Sequence, residues 1–332
     1  MVGKKERERA FLENGSRLLE ELIVSCNGRP PPIRSFSIEE LRRATNNYDP
    51  CRMLHDDGDF KWYSGSFEGR MVYIKKFTRE FRQEARDVCF TDIAICSKMS
   101  AHNNVLKLVG CCLESPIPIS VYESATNGTL ATGIRVSSHQ QQRQSITWQS
   151  RLKIAKDIAH TISYLHVAFS RPIVHRDIQS RHIFLDQNDV AKLADFSLSI
   201  EIPEDQDHVE DAVRGTIWFL CPTYLITGCI TEKSDTYSFG MFLVELLTGQ
   251  TLPDLARLAQ DEDALLIDYL KHHAANEIVD PALLVGEGGA GMEQQLEAVL
   301  RLALICTERD PERRPTMTDV TKELIRIERS IP

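Results

Sequence analysis

One stretch restricts what this chain can fold into more than any other. It reads His175-Arg176-Asp177-Ile178-Gln179-Ser180-Arg181-His182, followed at a distance by Asp195-Phe196-Ser197. His-Arg-Asp alone is common by chance. Here it follows residues 148–166, where Leu152, Ala155, Ile158, Ala159, Ile162 and Leu165 recur at helical spacing and predict one buried face. Gly215-Thr216 and a proline at position 222 come after it. With 332 residues, 42% of them hydrophobic, the chain suits a two-lobed domain with an N-terminal extension.

The stretch resembles the catalytic loop and metal-binding turn of protein kinases, H-R-D-L-x-x-x-N and D-F-G. His175, Arg176, Asp177, Asp195 and Phe196 match. The resemblance implies an α+β, two-lobed protein kinase-like fold, with a small β-rich N-lobe and a larger α-helical C-lobe. We expect an N-terminal helix and Pro-rich linker over 1–33, the N-lobe with its lead-in over 34–123 and the C-lobe over 124–332. It further implies that Asp177 is the position of the catalytic base, Lys75 the phosphate-pairing lysine and Asp195 a metal ligand.

The departures fall on the chemistry. A phosphate-cradling loop needs glycines, because backbone N–H groups must approach phosphate without a Cβ in the way. Counted back from Tyr63-Ser64-Gly65, the three glycine positions hold His55, Asp57 and Phe60, and with Gly58 alone in the run no register restores the motif. Trp62 and Tyr73 stand where the family has small residues over the adenine. Overpacking there costs on the order of 1–3 kcal/mol unless the rings fill the base pocket or turn outward. Asp92 is the expected partner of Lys75, with Ile93 as the alternative if the helix shifts. Gln179 replaces the catalytic-loop Lys, His182 the Asn that holds a second magnesium, and Ser197 the turn Gly. Magnesium prefers hard oxygen ligands, so no metal is expected, with Asp195 the one remaining candidate. Thr223 replaces a Glu whose loss leaves Arg314 without its partner, while Asp235 matches the anchor of the catalytic loop.

In the activation segment, acids stand where relatives carry hydroxyls: Asp207, Glu210 and Asp211. Two readings fit. Either these carboxylates pair with Arg176 as fixed charges and form a recognition surface, or they belong to a solvated acidic loop.

Arg34-Ser35-Phe36-Ser37 through Tyr48 resembles the "F-S-x-x-E-L-x-x-A-T-N-N-F" lead-in of plant receptor-like and receptor-like cytoplasmic kinases, with Ser37 and Glu40 at capping-box spacing. Residues 4–25 predict an amphipathic helix with Phe11, Leu18, Leu19, Leu22 and Ile23 apolar, either docked on its own domain or binding a partner. Asn27-Gly28 and Pro30 to Pro32 stop it, and residues 131–147 predict a polar loop. The helix ending in C-N-G, K-W-Y-x-G, S-x-M-S-x-H-x-N and the F-L-D after the altered loop resemble the plant adaptor pseudokinases that pair with a coiled-coil NLR immune receptor.

The chain is therefore identified as a pseudokinase of that group. The resemblance implies a sensor or scaffold in innate immunity, partnered by an NLR immune receptor, receptor-like cytoplasmic kinases and pathogen effector proteins. No cofactor is expected. The alternatives are a weak or atypical serine/threonine kinase using ATP and magnesium, and a nucleotide-binding switch without catalysis. A net charge of −9 argues against nucleic acid. No apolar run suits a membrane span, and Val2 stands where myristoylation needs Gly. Nine scattered cysteines without C-x-x-C spacing read as reduced thiols in the cytoplasm, with partners as the only route to the plasma membrane. Cys26 is either a buried thiol or a palmitoylation site.

Overall fold

The computed structural model describes residues 3–26, 32–78, 82–134, 146–258, 266–284 and 290–330. Two compact units divide them: residues 1–128 with 194–198, and residues 129–193 with 199–332. The mixed kinase-like architecture is the observed one, with a sheet-based first unit, a helical second unit and an N-terminal helix.

In the first unit, six strands form one sheet: β1 (Arg34–Ser35), β2 (Met53–Asp56), β3 (Phe60–Phe67), β4 (Arg70–Phe77), β5 (Leu108–Cys112) and β6 (Ile119–Glu123), in the order β1-β5-β6-β4-β3-β2. All neighbours are antiparallel except β1 and β5. Alternation of side chains along a strand sets the two faces. Tyr63, Val72, Ile74, Val121 and Cys112 pack with Phe36, Ile38 and Leu41 of the lead-in and its helix α2 (Ile38–Ala44). The next residue, Cys111, points the other way and joins Leu18 and Leu22 of α1 (Lys4–Ser25) and Phe90 and Ile93 of α3 (Arg82–Lys98). Adjacent cysteines thus serve opposite cores. Burial pushes Cys111 and Cys112 up to about 12, which keeps them as inert thiols.

The lead-in is held tightly. Ser37 caps α2, accepting from the Glu40 amide at 3.2 Å while Glu40 accepts from the Ser37 amide at 2.7 Å. Gly110 is required where β1 crosses β5, since a Cβ there would lie 2.1 Å from the Arg34 carbonyl. Helix α1 docks through Ala10, Asn14, Leu18 and Leu22. The buried Asn14 amide donates to the carbonyls of Leu113 and Ser115. Of the five apolar positions expected to form one face, Leu18 and Leu22 are buried, but Phe11, Leu19 and Ile23 are exposed. The reason is geometric: the docked stripe takes Ala10 and Asn14, which places those three residues outside it. The expected proline stop falls on residues 27–31, outside the described residues.

In the second unit, α4 (Leu130–Ile134) occupies the start of the expected polar loop, and 135–145 lie outside the described residues. The core is α5 (Trp148–Val167) and α7 (Glu232–Thr248) with the helices Ala290–Cys306 and Met317–Glu328, while α6 (Pro222–Thr227) buries Tyr224 alone. The six predicted apolar positions of α5 are all buried. In α7 every residue from Ser234 to Thr248 is buried, as expected of a helix surrounded by protein. Among the described residues, no helix is long and apolar enough to cross a membrane.

Candidate functional site

The first unit supplies one set of candidate residues. Antiparallel register puts Trp62 opposite Lys75 and Tyr73 opposite Tyr122, so period two places all four on the α3 face. Trp62 and Tyr73 are buried, with the Trp62 ring 5.2 Å from that of Tyr122. The Tyr73 hydroxyl donates to the Ala125 carbonyl, beyond the end of β6.

Lys75 is fully engaged within this unit. Its ammonium lies 2.8 Å from Asp92 and 2.7 Å from Asp195, and 3.9 Å from the centre of the Phe60 ring. Burial disfavours its charge, and Asp195 and Asp92 more than offset that, so its pKa stands above the ordinary lysine value. Asp92 holds the helix position, whereas Ile93 packs toward α1. The shorter acid also accepts from the Tyr122 hydroxyl at 2.6 Å and from the Phe196 amide at 2.9 Å. Burial and the Asp92 charge keep Tyr122 protonated, with its pKa well above normal. Ser197 turns back onto Asp195, its amide at 3.3 Å and its hydroxyl closer.

The turn between β2 and β3 is closed on itself. The Asp57 carboxylate accepts from the Phe60 amide at 2.7 Å and the Asp59 amide at 3.2 Å, and Asp56 accepts from the Gly58 amide at 3.0 Å. Gly58 has φ of +90°, which glycine adopts without penalty. The Gly58 amide first, and then Lys61 at 3.3 Å, hold Asp56 below the ordinary carboxylate range. His55, at the first lost glycine, is half-buried in β2 opposite Trp62.

The second unit supplies the other set. Asp177 is enclosed: one oxygen accepts from the Gln179 amide at 3.0 Å and the Thr216 backbone at 3.1 Å, and the other lies 3.4 Å from His182. Gln179 also donates to the Thr216 hydroxyl at 2.7 Å. His182 Nδ1 is 2.9 Å from the Asp177 carbonyl. A carbonyl only accepts, so Nδ1 carries the proton. Asp235 accepts from the amides of His175 and Arg176 and contacts His166 at 2.9 Å, tying the loop to α7.

Arg176 has φ of +72° and meets only part of the predicted acidic set. It binds Asp211 at 2.8 Å, the Ala212 carbonyl at 2.9 Å and the Tyr224 hydroxyl. Asp207 instead pairs with His208 at 2.6 Å, its side chain 95% exposed. Glu210 is exposed in a two-residue strand paired with Cys229–Ile230. Chain direction explains the split: pairing of 209–210 sends those carboxylates away from the loop before Asp211 returns to it.

The expectation for Arg314 needs correcting. It donates to the carbonyls of Glu308, Lys233 and Arg309 at 2.7, 3.1 and 3.2 Å and lies 5.1 Å from the Tyr237 ring centre. A buried guanidinium needs acceptors, and backbone oxygens supply them where Thr223 cannot. Thr223 reaches the same Arg309 carbonyl at 3.5 Å.

Sequence reasoning missed Tyr122 on Asp92, Phe60 over Lys75, Tyr224 on Arg176, and the carboxylates that close the β2–β3 turn. The last had a signal: an Asp two residues ahead of an amide it can accept is an Asx-turn pattern.

A scan of family models matches residues 58–324 to "protein tyrosine and serine/threonine kinase". Similar curated proteins come from Arabidopsis thaliana. The serine/threonine-protein kinase ZRK1 is 39% identical over 99% of this chain and 95% of its own length. The non-functional pseudokinase ZED1 is 40% identical over 98% of each chain. The non-functional pseudokinase ZRK2 is 39% identical over 97% of this chain and 91% of its own.

Proposed function

The chain belongs to the protein tyrosine and serine/threonine kinase family, and we propose that it is a pseudokinase acting as an adaptor through protein contacts. One observation carries this. The N–H groups of Gly58, Asp59 and Phe60, in the turn that would cradle phosphate, already bind the chain's own carboxylates. A polyphosphate would have to displace Asp56 and Asp57 and then face their charge. Lys75, with two carboxylates and an aromatic ring on its ammonium, has no capacity left for it. The protein thus carries internal replacements for a nucleotide: Asp57 for phosphate, and Tyr73 and Trp62 for the base. ATP and magnesium do not fit these residues, and no phosphoryl transfer is derived through them.

Calorimetry with magnesium-ATP tests the reading, and the expected result is no binding. Binding that appears only in Trp62→Val/Tyr73→Ala would support the filled slot, and micromolar binding to the parent chain would overturn it.

The adaptor role rests on likeness to two relatives named as non-functional pseudokinases and on the face of the activation segment. There Ile217, Trp218 and Ile226 are exposed beside Asp207 and Glu210. Within the plant group that the sequence resembles, the partners would be an NLR immune receptor, a receptor-like cytoplasmic kinase and a pathogen effector, met in the cytoplasm. The test separates two carboxylate roles. Asp211→Asn should raise hydrogen exchange across 202–216 by freeing Arg176. Asp207→Asn/Glu210→Gln should leave exchange unchanged and weaken a captured kinase partner. Unchanged exchange and affinity in both variants would leave the segment as ordinary surface. The rival reading, a weak serine/threonine kinase, is favoured by the retained Lys75–Asp92 pair and by the kinase named among the relatives.

A further inference from the structure

Helix α1 carries two apolar stripes, and only one is used. The inner stripe docks on its own unit through Ala10, Leu18 and Leu22. On the outer side Leu12, Leu19 and Ile23 are 69%, 57% and 51% exposed. Spacings of seven and four align Leu12, Leu19 and Ile23 in one narrow seam, as in a helix that packs against another helix. An apolar strip of this kind on one surface helix marks an interaction site.

The charges on α1 point to the occupant. From Lys4 to Leu12 there are four cations, Lys4, Lys5, Arg7 and Arg9, against the carboxylates of Glu6 and Glu8. From Glu13 to Ser25 there are three carboxylates, Glu13, Glu20 and Glu21, against Arg17. This order opposes the helix macrodipole, which favours acids at the N-terminus and bases at the C-terminus, and the last turn has no basic residue. Arg7 is taken up by Glu39 and Arg17 by Glu21 and Asp87 of the same unit, but on the outer side the basic Lys5 and Arg9 precede the acidic Glu20, an order that matches the same helix running the other way.

We propose that the outer face of α1 is an isologous interface, covered by α1 of a second copy of this chain in antiparallel orientation. A two-fold axis requires a self-complementary patch, and the order of charges along the outer side of α1 meets that requirement. With Leu12 of one copy against Leu19 of the other, Gly15 and Ser16 lie at the crossing. An ideal Cβ at Gly15 would meet nothing within 4 Å, so a neighbouring helix can approach closely there. The same register brings Ile23 of each copy to the other's Glu8. Glu8 and Leu12 border a cavity of about 670 Å³ that is also lined by Lys4, Arg7, Phe11 and Glu114. Arg9 and Glu20 flank the seam on one side, and same-side flanks meet in an antiparallel pair. The interface is independent of nucleotide and of the activation segment.

Sedimentation velocity on the full chain, at roughly 100 µM so that a small interface associates, provides the test. A dimer is expected. Leu19→Glu, which leaves the docked stripe untouched, should return it to monomer with an unchanged melting temperature. Arg9→Glu and Glu20→Arg should each weaken the dimer at least several-fold, and the double reversal should restore it. A monomeric parent chain would overturn the proposal and assign the face to a different partner. So would a dimer indifferent to Leu19→Glu, or charge reversals that do not rescue one another.

Discussion

Glu245 shows how much a single buried group can decide. It sits in the last turn of α7, its carboxyl accepting from the Ser180 amide at 3.3 Å in the catalytic-loop stretch. Burial, only partly offset by hydrogen bonds from Ser180, pushes its pKa up to about 7 from an ordinary 4.5. Below the unfolded value the carboxyl is protonated in both states and costs nothing. Between about 4.5 and 7 the unfolded chain ionises while the folded state keeps its proton, so stability falls by about 3 kcal/mol across that window and is level above it. Glu245→Gln stays neutral, so its melting temperature should match the parent near pH 5, exceed it near pH 8 and vary less between them. Equal pH profiles for the two proteins would show that Glu245 is not the titrating group. Arg314 gives a second prediction at this scale. It holds three carbonyls and shares the Arg309 oxygen with Thr223. Thr223→Glu should supply a charge-assisted bond worth about 1–2 kcal/mol and slow hydrogen exchange across α6. Faster exchange, or a lower melting temperature, would mean that the carbonyl set tolerates no competitor.

At the scale of elements, the lead-in and α2 hold one face of the first unit's sheet, and their fit depends on a missing side chain. Gly110 lets β1 pass over β5, with Phe36 bonded to the Cys111 carbonyl at 2.9 Å. An Ala methyl would press on the Arg34 carbonyl and on the Phe36 ring at 2.6 Å. Gly110→Ala should therefore cost about 2 kcal/mol or more, seen as a lower urea midpoint and lost protection at Arg34–Phe36. Unchanged protection would mean that the strand shifts without loss. The turn between β2 and β3 is another element defined by its amides. The carboxylates of Asp56 and Asp57 take the amides of Gly58, Asp59 and Phe60, while Thr78, just past β4, donates to the carbonyls of Gly58 and Asp59.

For the molecule as a whole, the proposed reading is that each compact unit has given up its own share of phosphoryl-transfer chemistry. The first closed its amides and paired Lys75, and the second enclosed Asp177 between Gln179, Thr216 and His182. Catalysis of this kind is positioning and charge neutralisation, so such losses compound. No autophosphorylation and no transfer to a generic substrate are expected, and radiolabel incorporation that disappears in Asp177→Ala would overturn this. Much of this was legible in the sequence. Helical spacing gave α5 and its buried face. Period two puts Tyr73 and Lys75 of one strand on the same face, because a strand fixes side-chain direction, and the pairing register seen in the structure adds Trp62 to it. The missing glycines and the exchanged Lys, Asn and Gly could be counted directly. Only tertiary structure decided what took their place. Arg314 is satisfied by carbonyls at 233, 308 and 309, Arg176 by Tyr224, and Asp92 by Tyr122. Apart from the carbonyls at 308 and 309, those partners are distant in sequence, and no local pattern ranks one acceptor over another. The proton on Glu245 and the unused stripe of α1 were likewise hidden, because burial is a property of the packed surroundings and not of a residue or its neighbours in the chain.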